Sequence, residues 1–192
     1  MSEISNTGQN PLCAMPSVFP HLMIDLETMG SKSFASIVSI GAVEFNIKTG
    51  ETGREFYRNI DLRSCQSLGL EIDADTVYWW LKQSKEAKES LFTECFSIQQ
   101  AMVDFRNFCN KEYQIWGNSA RFDLGILENA YTKNFLDIPW DFRNERDVRT
   151  LVSLNPEIKK NYTHEGIDYN ALSDCYKQIG YCSEIWRSIS PH

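Results

Sequence analysis

His21, Leu22, Met23 and Ile24 run straight into an acid, after which Asp25, Leu26 and Glu27 alternate polar with apolar. A short apolar run that ends in period-two alternation predicts a buried strand over Leu22–Leu26. Comparable runs predict strands over Ile37–Phe45 and Glu55–Asp61, with Asn46 to Gly50 and Gly53 carrying the turn between them. The period then changes. Asp75-Thr76-Val77-Tyr78-Trp79-Trp80-Leu81 reads as a helix opened by a capping-type acid, and Ser97-Ile98-Gln99-Gln100 as a capping box ahead of Met102, Phe105 and Phe108. Ile115, Trp116 and Gly117 resemble a short buried strand that breaks at Asn118 and Ser119 into a helix carrying Phe122, Ile126 and Leu127 inward. A last helix from about Asn170 to Ile189 sets Ala171, Leu172, Cys175, Ile179, Cys182 and Ile185 or Trp186 at helical spacing. Strands that give way to βα units predict an α/β fold, a mixed β-sheet flanked by helices.

Composition narrows this to one domain. A chain of 192 residues with 42% hydrophobic content can bury one sizeable core but hardly two. The expected division is a polar N-terminal tail over residues 1–19 and a single folded domain over 20–192. No apolar run approaches the roughly 20 residues a membrane span needs, and the first residues lack the basic start and apolar middle of a signal peptide. Cysteines at 13, 65, 95, 109, 175 and 182 have no paired metal spacing, and most sit in apolar periodic segments, as reduced core thiols would. These features point to a cytoplasmic protein with no membrane contact.

The candidate chemistry lies in four carboxylates. Asp25 and Glu27 project from one face of their strand; two such acids repel and tend to hold a proton unless a cation neutralises them. Oxygen ligands with no Cys or His cluster favour Mg²⁺ or Mn²⁺ over zinc. Asp123 falls in the first turn of its helix, where an acid also complements the helix dipole. Asp174 falls beside the apolar stripe of the last helix. Taken alone, Asp25 with Glu27 and Asp123 fit an ordinary strand-end or first-turn acid as well as a ligand, and Asp174 fits a solvated helix acid better.

The segments IDLETMG, IVSIGAVEF, TVYWWLKQS with the following EA, WGNSARFDLGIL, RDVRTLV and NALSDCYKQ together span roughly Pro20 to Ile189. In this order they resemble the DEDD superfamily of 3′-to-5′ exonucleases, and within it the small phage and prophage exonucleases of the exonuclease VIII type and the T4-type exonuclease A. The resemblance implies a ribonuclease H-like fold and two-metal phosphodiester hydrolysis at the 3′ end of DNA or RNA, with two divalent ions (Mg²⁺ or Mn²⁺) about 3.5–4 Å apart. It implies Asp25, Glu27, Asp123 and Asp174 as the metal-binding acids, with Asp25 bridging both ions. Glu27 and Asp174 would hold the ion that activates water, and Asp123 would complete the other shell through water.

One position departs from that pattern. The subgroup with a histidine places it five residues before the last acid, where this chain has Tyr169; the tyrosine subgroup places its tyrosine where this chain has Asn170. A free phenol titrates near pH 10 and a free imidazole near 6.5. Tyr169 therefore suits the orienting of water by hydrogen bonding, or marks a protein that keeps the fold and the acids as a nucleic-acid-binding or regulatory module with weak hydrolysis. His164 is an alternative base. The net charge of −7 opposes binding of polyanions, although bound cations would offset several acids. Arg121, Arg143, Arg146, Arg149, Lys159 and Lys160 are the candidate groove cations, with Arg146 and Arg149 foremost because RDVRT belongs to the resemblance, and Asp147 between them a candidate orienter. Met29 and Phe34 are candidates for the lip that receives the terminal nucleotide, Asn118 for substrate contact, and Trp80 for base stacking. A bacterial or phage-infected host cell is the implied setting, and self-association into a homo-oligomer stays open.

Overall fold

The computed structural model describes residues 18–164, 166 and 169–190. Most of the expected polar tail, and Cys13, lie outside these residues. A single six-stranded mixed sheet organises the fold: β1 (His21–Thr28), β2 (Ile37–Phe45), β3 (Thr52–Ile60), β4 (Cys95–Phe96), β5 (Gln114–Gly117) and β6 (Glu145–Asp147), in the order β4-β3-β2-β1-β5-β6. The first three strands pair antiparallel as a meander; β5 and β6 add parallel on the far side of β1. The arrangement is that of a ribonuclease H-like α/β domain.

β1 is central and covered on both sides, so Leu22, Met23 and Ile24 are fully buried. One core lies between the sheet and helices α4 (Ile98–Phe108) and α5 (Ala120–Lys133), around Leu22, Ile24, Phe105 and Leu127. The other forms where α8 (Ala171–Ile189), α6 (Val148–Val152) and α7 (Pro156–Asn161) close over Met23, Phe45 and Trp116. Alternate residues of β1 therefore serve opposite cores.

Two boundaries differ from the sequence expectation. The hairpin between β2 and β3 closes by Glu51, because Asn46 N–H donates to Glu51 O at 2.9 Å and Gly50 N–H to Asn46 O at 2.8 Å, with Gly50 at φ +80°. Gly53 is a strand residue; a Cβ there would lie 2.6 Å from the Phe19 ring. The helix α2 (Ala74–Leu81) is capped by Asp73, whose side chain accepts from Asp75 and Thr76 N–H, so Asp75 is a first-turn acid and not the cap. Ser97 does cap α4, accepting from Gln100 N–H at 3.2 Å. The short α1 (Leu62–Ser67) and α3 (Lys85–Ser90) complete the helices. None of the described helices is long and apolar enough to cross a membrane. The described cysteines are free thiols; Cys65, Cys175 and Cys182 are buried, Cys109 is half-buried and Cys95 exposed.

Candidate active site

The C-terminal end of β1 carries Asp25 and Glu27 on one face, and glycines in the two neighbouring strands leave room for what must approach it. Gly41 pairs with Asp25 across β2, and a Cβ on it would lie 2.5 Å from the Ala171 carbonyl carbon. The N-terminus of α8 therefore rests directly on the sheet beside Asp25. Gly117 pairs with Ile24 on the other side, where a Cβ would lie 3.0 Å from Asp123 Oδ2. Asp123 and Asp174 both stand at the fourth residue of their helices, so two positive helix ends face the same acids.

Carboxylate oxygens of Asp25, Glu27 and Asp174 lie within 4.8 Å of one another. Asp123 shares their cavity, of about 480 Å³, but both of its oxygens accept backbone bonds, Oδ1 from Leu26 N–H at 3.3 Å and Oδ2 from Ser119 N–H at 3.1 Å. Asp25 and Glu27 are 8% and 9% exposed, which in a protein interior is tolerated only with compensation. Burial, then the charges of Asp123, Glu27 and Asp174, push the Asp25 carboxyl well above its ordinary range against a hydrogen bond from Gln178. Burial, then Asp174 and Asp123, raise Glu27 to about 8. Burial raises Asp123 to about 6, its backbone hydrogen bonds opposing the rise.

Asp147 holds the first turn of α5 from outside. Ser119 gives that helix no side-chain cap; Asp147 Oδ2 instead accepts from Ala120 N–H at 2.9 Å while Oδ1 accepts from Thr150 N–H at 2.8 Å, capping α6 as well. Burial pushes this carboxyl up, but the bonds from Ala120 and Thr150 and the Arg149 charge bring it below its usual value.

The profile of the 3′–5′ exoribonuclease Rv2179c-like domain matches residues 20–186. The chain belongs to this family. An exodeoxyribonuclease of Enterobacteria phage T4 is 26% identical over 193 residues, taking in 82% of this chain and 85% of that protein. Among solved structures, Escherichia coli exonuclease I in its zinc-bound complex with single-stranded DNA superposes with a TM-score of 0.65 at 15% identity, over 88% of this chain and 40% of that one. Exonuclease I of Methylocaldum szegediense gives 0.63 at 13% identity, again over 88% and 40%. The chain thus spans about two-fifths of the exonuclease I chains it matches, and at these identities the likeness is one of fold. Family and relatives agree with the DEDD resemblance read from the sequence, and they make the chain a nuclease-family protein acting on nucleic acid.

Within this exonuclease domain the remaining sequence candidates divide. Tyr169 and Asn118 line the carboxylate cavity, as do Arg149 and Lys159. Arg149 Nε donates to Asn118 O at 2.9 Å. Arg146 does not reach the cavity: it pairs with Trp116, on the sheet face that also carries Asp25 and Glu27, but its guanidinium turns back toward the start of β5 and bonds to Gln114, to Arg143 O at 3.0 Å and to Glu145 O at 2.7 Å, away from the strand ends where the acids lie. Met29 is corrected to a core residue, 7% exposed and packed with Val38, Trp80 and Leu91. Phe34, 40% exposed, borders an adjoining depression it shares with Ser31, Arg121 and Phe122. Arg143 sits by Asp141 and Lys160 by Glu157, away from the cavity. His164 lies outside it too, with Nε2 3.4 Å from Ser173 Oγ.

The tryptophan pair reverses the expectation. Trp80 is 4% exposed and its Nε1 donates to Thr28 O at 3.0 Å, so no base can reach its faces. Trp79 is the one that borders the cavity, 40% exposed, with the Tyr169 ring edge-on at 4.8 Å. Tyr169 itself has φ +60°, a conformation sparsely populated outside glycine, and a second ring contact with Trp80 at 6.2 Å. Sequence reasoning also passed over Lys177, Gln178 and Tyr181 on the cavity wall. A signal existed, since positions three, four and seven beyond Asp174 share its helical face.

Proposed function

We propose that this protein is a divalent-metal-dependent exonuclease that removes nucleotides from the 3′ end of DNA or RNA. The observation that carries this reading is the convergence of Asp25, Glu27 and Asp174 oxygens within 4.8 Å, with Asp123 in the same cavity. The donor set fits the group it would need. It is all oxygen and half closed, and burial followed by the repulsion of Asp174 and Asp123 raises Glu27 to about 8, as expected of acids arranged around hard cations such as Mg²⁺ or Mn²⁺. Bound ions would supply Lewis-acid stabilisation of phosphate oxygens and would acidify the attacking water.

The chain's own residues account for the rest. Arg149, Lys159 and Lys177 bring positive charge to the cavity of an otherwise acidic protein, which suits neutralisation of backbone phosphates. The exposed face of Trp79 is placed to stack on the terminal base. The Tyr169 hydroxyl, at the cavity margin, orients the attacking water by hydrogen bonding. The mononucleotide product, the 3′-to-5′ polarity and a cytoplasmic place of action belong to this proposal.

The experiment is incubation of the protein with 5′-labelled single-stranded DNA and RNA, with Mg²⁺, with Mn²⁺ and with chelator, followed by separation by length. A metal-dependent ladder shortening from the 3′ end is expected. Intact label under every condition, with Tyr169→His restoring the ladder, would favour instead the nucleic-acid-binding module with weakened hydrolysis, a reading supported by Tyr169 standing in the histidine position.

A further inference from the structure

Gln178 is 3% exposed, on α8 one turn beyond Asp174, and it lines the carboxylate cavity. The two polar atoms of its amide differ. Nε2 donates to Asp25 Oδ1 at 2.7 Å, whereas Oε1 is buried with no hydrogen-bond partner among the described residues. Leaving such a buried acceptor unpaired is destabilising. The fold has no need of it, since an apolar side chain of equal size would continue the buried stripe of Cys175, Ile179 and Cys182. Buried polar groups that lack an internal partner point to one supplied from outside.

The Asp25 side chain gives Gln178 a second task. Gly41, its cross-strand neighbour, offers no side chain, and the Gln178 amide donates directly to the Asp25 carboxylate. The terminal torsion of an aspartate is broad and two-fold. One donor fixed on Oδ1 selects its orientation.

We propose that Gln178 is a positioning residue of this site: its amide N–H fixes the Asp25 carboxylate for cation binding, and its Oε1 accepts a hydrogen bond from the O–H group that enters the cavity. That O–H belongs to water or to the 3′-hydroxyl of the terminal nucleotide. The inference rests on the exonuclease reading above and assigns a residue that neither the four acids nor Tyr169 includes.

The test compares wild type with Gln178→Met, which keeps volume and loses both polar atoms. Mn²⁺ affinity is measured by titration calorimetry without nucleic acid, the metal-free melting temperature is recorded, and rates are followed on oligonucleotides ending in a 3′-hydroxyl or a 3′-deoxy sugar. Expected are an unchanged or higher metal-free melting temperature, at least tenfold weaker Mn²⁺ binding, and a similar fall in kcat with little change in KM. If Oε1 serves the 3′-hydroxyl, the 3′-deoxy end slows wild type but not the variant; if it serves water, both respond alike. A variant with wild-type Mn²⁺ affinity and kcat, or one that loses only melting temperature, overturns the inference while leaving the exonuclease reading intact. Wild-type protein that neither binds Mn²⁺ nor shortens any strand overturns both.

Discussion

A Cβ on Gly41 would sit 2.5 Å from the carbonyl carbon of Ala171, so the active-site helix touches the sheet backbone at the position paired with Asp25. Gly41→Ala must push α8 outward, because the obstructing atoms are main chain and cannot rotate away. A loss of about 2–4 kcal/mol is expected, together with a fall in Mn²⁺ affinity as Asp174 withdraws from Asp25. Denaturant unfolding with and without Mn²⁺ checks both. Wild-type values would mean that α8 reaches its place without this contact.

Asp25→Asn removes one ionisable carboxyl from a crowded buried group while keeping the side chain's shape and an oxygen for Gln178. At pH 8 the metal-free variant should melt at or above the wild-type temperature, gaining about 1 kcal/mol. It should also lose the rise in melting temperature that Mn²⁺ gives wild type, and its nuclease activity. A variant that still responds to Mn²⁺ and cleaves would remove Asp25 from the site.

Asp147→Ala strips the cap from two helices at once, α5 through Ala120 N–H and α6 through Thr150 N–H. At about 1 kcal/mol for each cap, near 2 kcal/mol of stability should go. Because α5 carries Asp123, kcat should fall further than the change in folding alone explains. Thermal unfolding and single-turnover kinetics separate the two effects.

The tryptophans should part company. Trp80→Ala opens a cavity under β1 and should cost about 3–5 kcal/mol. Trp79→Ala should leave stability within about 1 kcal/mol and raise KM for oligonucleotides several-fold. Calorimetry paired with steady-state kinetics decides it, and the reverse pattern would return the stacking role to Trp80.

His21 sets a pH dependence remote from the carboxylates. Burial, then the nearby Arg146 charge, lowers its pKa from 6.5 to about 4, and its Nδ1 accepts from Trp116 Nε1 at 3.1 Å. The folded protein thus holds His21 neutral while the unfolded chain protonates it near pH 6.5. This contribution is complete above pH 6.5 and is lost as pH falls toward 4. About 1–2 kcal/mol is expected after allowing for solvent screening of a partly exposed ring. His21→Gln should be flatter than wild type over that window in urea unfolding. Parallel curves would put the acid sensitivity elsewhere.

How far the sequence reached is clearest within single elements. A period of two put Asp25 and Glu27 on one face, and a period near 3.6 placed Asp174 beside the Cys175–Ile179–Cys182 stripe; both are properties of one strand or helix alone. The ordered motifs added the family and the ribonuclease H-like sheet. The tertiary structure decided what faces what: that Trp79 and not Trp80 borders the cavity, that Met29 turns into the core, that Arg146 turns away, and that Asp147 caps a helix begun 27 residues earlier in the chain. Gln178 meets Asp25 across 153 residues and Leu26 meets Asp123 across 97. Periodicity fixes the face a residue occupies on its own element, whereas the neighbour opposite that face follows from strand register and helix docking, which here turn on two glycines, Gly41 and Gly117, that leave room for backbone and carboxylate to close on β1.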